Sequence, residues 1–327
     1  MRLQSREMNP SSSNTAARSR DGRRRGNSPL RLVIAYAGIG ITRITRCLPL
    51  GLARRLGKAC GLLAYFVVPR LHRIGMDNLD QAYGDSLSRR EKIRILKQTA
   101  SNMGIVAAEF SRIPCIDKAF VRNHISIEGL EHIDRSRGAL FIAAHYGNWE
   151  WLAPVLYTAG LPAAEVVRPL DHPALDAFVD HIRQSNGVIT VKRDDAGLTL
   201  VGMLRQGYMV GILIDQNPRT AAAPVTFFDR PCWATAAPVI AALRARVPVH
   251  GVRAVRDAGG RYHFEITPPI PFEQTTDFRH GLVVNVQRCQ DLLEQWVREH
   301  PGHWMWFHRR WRPRPALARK WDARNSN

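Results

Sequence analysis

LFIAAHYGNWEW, residues 140–151, runs an uninterrupted apolar segment into a histidine, a Gly-Asn turn, a carboxylate and two tryptophans. A short apolar run ended by a turn suits a strand covered on both faces. The acid just past the turn suits the first turn of a helix, where the dipole favours it. The segment therefore reads as the strand-to-helix corner of an α/β unit. The same alternation continues downstream. Residues 163–167, 188–191, 209–214, 247–255 and 262–267 read as strands, and 149–159, 174–186, 196–206, 235–245 and 280–299 as helices. The pattern predicts an α/β fold with a mostly parallel central sheet flanked by helices.

Upstream the pattern changes. Ser88 with Glu91 three residues on forms a capping box, and Ile93, Leu96, Met103, Val106 and Phe110 then recur near helical spacing, so a helix with one buried face begins there. Residues 1–29 are rich in Ser and Arg and nearly free of large apolar groups, which predicts a disordered basic tail. Residues 30–72 hold two apolar stretches, Leu32–Thr42 and Leu62–Val68, separated by Arg43, Arg46, Arg54, Arg55 and Lys58. Neither stretch reaches the roughly 18 residues of a spanning helix. Basic groups interleaved with Leu, Ile and Tyr suit a membrane-associating helical region lying in the interface, with an amphipathic helix packed on its own domain as the alternative.

The chain has 327 residues and a formal net charge of +19, which points to an anionic partner: nucleic acid, an anionic membrane surface or a phosphorylated substrate. Its five cysteines form no CxxC pair, so neither a zinc site nor a disulfide framework is expected.

The residues that carry chemistry sit where the strands end. His145 follows the first strand of the corner, Asn148 stands at the N-cap of the next helix, and Glu150 lies in its first turn. On a continuous helix His145 and Glu150 would be about 140° apart; the Gly147-Asn148 turn lets them meet. A carboxylate that fixes the tautomer of a histidine raises the basicity of the other ring nitrogen, which suits a general base. The free N–H groups of the helix start suit an anion or an oxyanion. Arg168 and Asp215 follow the strands at 163–167 and 209–214, at the carboxyl ends where parallel sheets bind ligands. Each residue alone has a structural reading as a turn, cap or loop residue; together they favour a site. Near the C-terminus, HPGHWMWFHRRWRPRP, residues 300–315, alternates tryptophans with Arg309, Arg310 and other cations. This segment suits nucleic-acid stacking, a phosphorylated lipid headgroup at a membrane interface, or a core closed by tryptophans.

HYGNWE (145–150) resembles the H-x-x-x-x-[DE] motif of the late lauroyl/myristoyl acyltransferases of bacterial lipid A biosynthesis, within the wider glycerolipid acyltransferase group. ILIDQN (212–217), VTFFDRPCWATAAPVIAALRARVPV (225–249) and HWMWFHRRWRPRP (303–315) are similar to further segments of that family in the same order, as is RIGMDNLDQAYGDSLSRREKIRI (73–95). Asp229 stands where the family usually has glycine. The resemblance implies transfer of a fatty acyl group from acyl carrier protein, or acyl-CoA, to a hydroxyl of a lipid A precursor at the cytoplasmic face of the inner membrane. By position, His145 would be the base and Glu150 its orienting acid. Arg168, Asp215, Asn148, Arg309 and Arg310 would serve substrate binding. No cofactor and no metal are implied, and anionic membrane lipids rather than nucleic acid are the expected partners. A lysophospholipid or ornithine lipid is the alternative acceptor, and a basic nucleic-acid-binding protein the alternative class. The division that follows is a tail (1–29), a membrane-associating segment (30–72), an acyltransferase domain (73–315) and a C-terminal tail (316–327).

Overall fold

The computed structural model describes residues 29–193 and 196–323, so the expected N-terminal tail lies, except for Pro29, outside the described residues. Four helices come first: α1 (Pro29–Cys47), α2 (Leu50–Val67), α3 (Pro69–Tyr83) and α4 (Arg89–Phe110). The predicted capping box is present at the start of α4, where Ser88 N donates to Glu91 Oε2 at 2.8 Å and Glu91 N donates to Ser88 Oγ at 3.3 Å. Leu96 and Val106 of its apolar face are buried, while Ile93, Met103 and Phe110 are half-buried.

The α/β body follows. In chain order it comprises α5 (Lys118–His124), β1 (Ile125–Glu128), β2 (Ala139–Ala143), α6 (Leu152–Thr158), β3 (Ala163–Val167), α7 (Pro173–Gln184), β4 (Ile189–Lys192), α8 (Ala196–Arg205) and β5 (Met209–Leu213). Then come β6 (Ala222–Phe227), β7 (Arg230–Thr235), α9 (Ala237–Ala245), β8 (Val249–Arg256), β9 (Tyr262–Ile266), α10 (Phe278–Glu299) and α11 (Pro315–Ala323). A seven-stranded sheet runs in the order β1-β9-β8-β2-β5-β3-β4. Only the β8–β9 pairing in it is antiparallel, in keeping with the predicted mostly parallel sheet.

Every residue of β2 is buried, as its unbroken apolar sequence demands of a strand covered on both faces. Leu140 and Ile142 face one core with Leu96 of α4, Val239 of α9 and Leu293 of α10. Phe141 and Ala143 face the other with Val155 of α6 and Ile182 of α7. Each large side chain so enclosed contributes about 1.5–3 kcal/mol.

Three features depart from the sequence reading. β1 and the β6–β7 hairpin were not anticipated; β6 and β7 pair with each other apart from the main sheet, and β1 is a four-residue edge strand. Residues 316–323 belong to a helix rather than a tail: Trp321 of α11 lies under the Arg279 guanidinium, 4.1 Å from it, and Arg279 Nη2 donates to its carbonyl. Finally, the break placed at residue 72 is not a packing boundary. α2 buries Ala53, Gly57 and Tyr65, and a Cβ at Gly57 or Gly104 would strike the other's carbonyl oxygen, so the α2 and α4 backbones touch. Arg54 Nε also donates to the buried Glu109 of α4 at 2.5 Å.

The outer face of these helices is apolar and open. Leu32, Tyr36, Ile41 and Ile44 of α1 are exposed, as are Leu52, Leu56, Leu63, Phe66 and Val67 of α2. Among the described residues no helix is long and apolar enough to cross a membrane.

Gly104→Leu is expected to push α2 off α4 and to cost about 1–3 kcal/mol, read as a lower urea midpoint; an unchanged midpoint would show that the two backbones are not in contact.

Candidate active site

β2 and β5 are parallel neighbours with Ala143 opposite Leu213. Two residues beyond each member of that pair stand His145 and Asp215, so the register itself places them side by side at the carboxyl edge of the sheet. The Asp215 carboxylate is buried and accepts three hydrogen bonds: from His145 Nδ1 at 2.9 Å, from the His145 backbone N–H at 3.1 Å, and from Trp304 Nε1 at 2.9 Å. The His145 ring retains one-fifth of its exposure, 20 %. With Nδ1 protonated and donating to Asp215, the tautomer leaves a lone pair on Nε2, which has no hydrogen-bond partner among the described residues.

The electrostatics follow from this geometry. Burial pushes the His145 pKa down, but the Asp215 charge and hydrogen bond, assisted by the charge of Glu150, outweigh it, and the pKa stands above the ordinary 6.5. Burial pushes Asp215 up, yet the His145 charge and the donors around the carboxylate bring it down to about 2. Asp215 therefore stays ionised through the neutral range.

Glu150 does not hold the imidazole. It lies in the 3-10 turn Trp149–Trp151, and its carboxylate faces Arg183 of α7, with Nη2 at 2.8 Å and Nε at 3.1 Å. Trp149 Nε1 donates to it at 3.2 Å. The Arg183 Nε also approaches Glu165 of β3 at 3.5 Å. Burial, opposed by Arg183 and reinforced by the charges of Glu150 and Asp180, pushes the Glu165 carboxyl up to about 7. Glu150 thus acts on His145 only through its charge, which raises the imidazole pKa while the Arg183 it shares with Glu165 lowers it.

The turn between His145 and Glu150 is fixed by backbone. Gly147 has φ +58°, a conformation that favours glycine, and a Cβ there would strike the Ala254 carbonyl oxygen of β8. Gly147 N donates to His303 O at 3.1 Å and Asn148 N to Ala254 O at 3.0 Å, so neither N–H is available to an oxyanion. Asn148 caps no helix with its side chain; it is fully buried, and Nδ2 donates to Glu109 Oε2 at 2.8 Å, alongside Tyr262 Oη at 2.6 Å. This interior position removes it as a ligand contact.

The remaining sequence candidates separate by exposure. Arg168 is 62 % exposed and lies 3.5 Å from Asp171, and Arg309 is exposed. Arg310 is fully buried, donating to Trp233 O and Gln290 Oε1 with its guanidinium over Phe227, so it braces the core and cannot meet a ligand. Trp304, Trp306 and Trp311 are buried too, which leaves them no face on which a base could stack. The sequence reading missed the Arg183–Glu165 pair and the part of Trp304 in holding Asp215. The alternation of α7, with Ile182 buried beside a cation, was the only signal for the first; nothing in the spacing signalled the second.

Residues 23–313 match the family described as bacterial lipid A biosynthesis acyltransferase. The chain belongs to that family. The chain is 24 % identical over 295 residues to the lipid A biosynthesis lauroyltransferase of Escherichia coli K12, covering 86 % of this chain and 92 % of that one. It is 25 % identical over 291 residues to a lipid A biosynthesis acyltransferase of Haemophilus influenzae, covering 86 % and 90 %. The solved 1-acyl-sn-glycerophosphate (LPA) acyltransferase PlsC of Thermotoga maritima is 14 % identical, covering 74 % of this chain and 96 % of that one, with a TM-score of 0.36, a likeness too loose to bear on the fold or the site. Membership makes the chain an enzyme that transfers an acyl group to a lipid acceptor.

Within this acyltransferase, Arg183→Met strands Glu150 and Glu165 without their cation. The expected cost is about 3 kcal/mol at pH 8 by urea unfolding. The deficit shrinks as the pH is lowered toward 5.5, because ionisation of Glu165, whose folded pKa is about 7 against an ordinary 4.5, is the part that costs stability. A deficit that grows on acidification would show that the two acids do not depend on Arg183.

Proposed function

We propose that this protein transfers a fatty acyl chain from acyl carrier protein to a hydroxyl of a lipid A precursor at the cytoplasmic face of the inner membrane, with His145 as general base. The observation that carries the reading is the His145–Asp215 pair, whose Nε2 lone pair is free while Nδ1 is held at 2.9 Å from the carboxylate. Nε2 takes the proton of the acceptor hydroxyl as its oxygen attacks the thioester carbonyl. Asp215, with Glu150 adding its field, stabilises the imidazolium that results. Collapse of the tetrahedral intermediate breaks the C–S bond, and the departing thiolate takes the proton from His145. General-base assistance of this kind supplies about 10²- to 10⁴-fold.

The charge and the apolar helices support the setting. The formal net charge of +19 suits an anionic leaflet, a phosphorylated acceptor and an acidic carrier protein. The exposed apolar side chains of α1 and α2 suit a membrane interface, into which they would insert without crossing it. Of the arginines singled out in the sequence, Arg168 and Arg309 are exposed and so able to meet substrate phosphates.

Purified protein incubated with acylated carrier protein and a tetra-acyl lipid A precursor is expected to yield a product heavier by one acyl group, and His145→Ala to abolish it while the fold survives. Product from acyl-CoA alone, or only from a lysophospholipid or ornithine lipid, would displace the assigned donor or acceptor; an active alanine variant would end the base assignment.

The pH profile gives a second test. The base works only when neutral, so kcat/KM should rise with pH through a midpoint above 6.5. Asp215→Asn removes the charge that raises this midpoint and leaves burial to lower it. The variant should lose about 10²- to 10⁴-fold in kcat/KM and show its remaining activity at a lower midpoint. An upward shift would contradict the pairing.

A further inference from the structure

A groove of about 990 Å³ opens between α2, α4 and the loop after α10; residues 300–303 line it, and the His303 carbonyl among them accepts from Gly147 N of the turn after His145. Its size suits a small ligand or a lipid headgroup. Five cations, Lys58, Arg90, Arg94, Lys97 and Arg256, line it beside His300 and His303, with only two carboxylates, Glu91 and Glu299. Both acids are already engaged. Glu91 closes the capping box with Ser88, and Glu299 pairs with Arg253 and accepts from Gln295 Nε2 at 3.0 Å.

The cations are not engaged in the same way. Among the described residues the side chains of Lys58, Arg90, Arg94 and Arg256 make no hydrogen bond or ion pair, and the Lys97 ammonium rests 5.5 Å above the Phe66 ring. Arg256 Nη1 and His303 Nδ1 are buried atoms with no partner. Helix stability does not explain Arg90, which sits in the first turn of α4 where the dipole disfavours a cation. Phe66 is 64 % exposed, beside the exposed Leu63 and Val67. Through Lys97 the groove is therefore continuous with the open apolar face of α2. An acidic protein would match the cations but leave that face unmatched, whereas a molecule with a phosphate and apolar chains matches both.

We propose that this groove seats the phosphate of an anionic phospholipid headgroup, with the chains along the apolar face of α2, as a membrane-docking site separate from the acyl-transfer site. The inference rests on the membrane reading of α1 and α2 given above. It adds a defined recognition element, in which the lipid phosphate supplies the partner that Arg90, Arg94, Arg256 and His303 lack.

The test uses the full chain, cosedimented with phosphatidylcholine vesicles and with vesicles that also contain phosphatidylglycerol. Arg90→Ala combined with Arg94→Ala should bind the anionic vesicles about 30-fold more weakly, the factor that two basic side chains near an anionic surface supply together. The charge-matched control, Arg319→Ala with Lys320→Ala on α11, should lose far less. Equal losses in the two double variants, or none in the first, would overturn the site, as would failure of the parent to prefer anionic vesicles. If the groove variant binds vesicles like the parent but loses acyl carrier protein, the occupant is the protein and the lipid assignment is wrong. Acyl transfer measured in detergent keeps the two proposals apart: the groove variant should retain it while losing vesicle binding, and His145→Ala should do the reverse.

Discussion

The Asp215 carboxylate is the point on which the site depends. It is a buried negative charge, which is stable only where donors surround it, and its three donors come from the edge of β2 and from Trp304 in the C-terminal segment. One group therefore ties the central strands to the end of the chain. The backbone completes the tie, with Met305 N donating to His145 O at 3.0 Å and Gly147 N to His303 O. The aromatic and basic segment that looks like a binding surface in the sequence is in this respect a clamp over the sheet edge.

Around that point the acids divide their work by what neutralises them. Asp215 meets an imidazole and orients it. Glu150 meets a guanidinium that it shares with Glu165, and so contributes charge at a distance. Glu109 is fully buried and meets Arg54, Asn148 and Tyr262, which joins α2 and α4 to the turn after β2. Each carboxylate is held by donors from other elements, a guanidinium for Glu150 and Glu109 and the imidazole and indole N–H groups for Asp215, and so each links parts of the chain distant in sequence. In a low-dielectric interior such pairs are directional enough to set geometry, and the rigid strands beneath them keep it.

The excess positive charge is distributed with equal selectivity. Arg310 and Arg183 spend theirs on internal partners, while Lys58, Arg90 and Arg94 leave theirs facing a groove beside exposed Leu63 and Phe66. Apolar and cationic side chains together on one outer face suit an interface between water and an anionic bilayer better than either medium alone.

Much was legible from local pattern. The unbroken apolar run of β2, the capping box at Ser88, the alternation of strands and helices and the placement of His145 and Asp215 at strand ends all follow from short-range chemistry, and short-range chemistry is what a sequence records. β1 and the β6–β7 hairpin were missed because none carries the apolar run that marked the other strands: Ser126 and Glu128 alternate with the isoleucines of β1, and β6 and β7 contain Pro224 and Pro231. The partner of His145 was misread for a different reason. Glu150 is five residues away along the chain and Asp215 is 70, so proximity in sequence favoured the wrong acid. The order of strands across the sheet decided otherwise: β5 lies against β2 although β3, β4 and three helices come between them in the chain. The sequence by itself determined the α/β class, the family and the place of His145 at the end of a central strand. Only the tertiary structure decided which carboxylate that histidine meets, because strand neighbourhood and register are set by packing over the whole sheet.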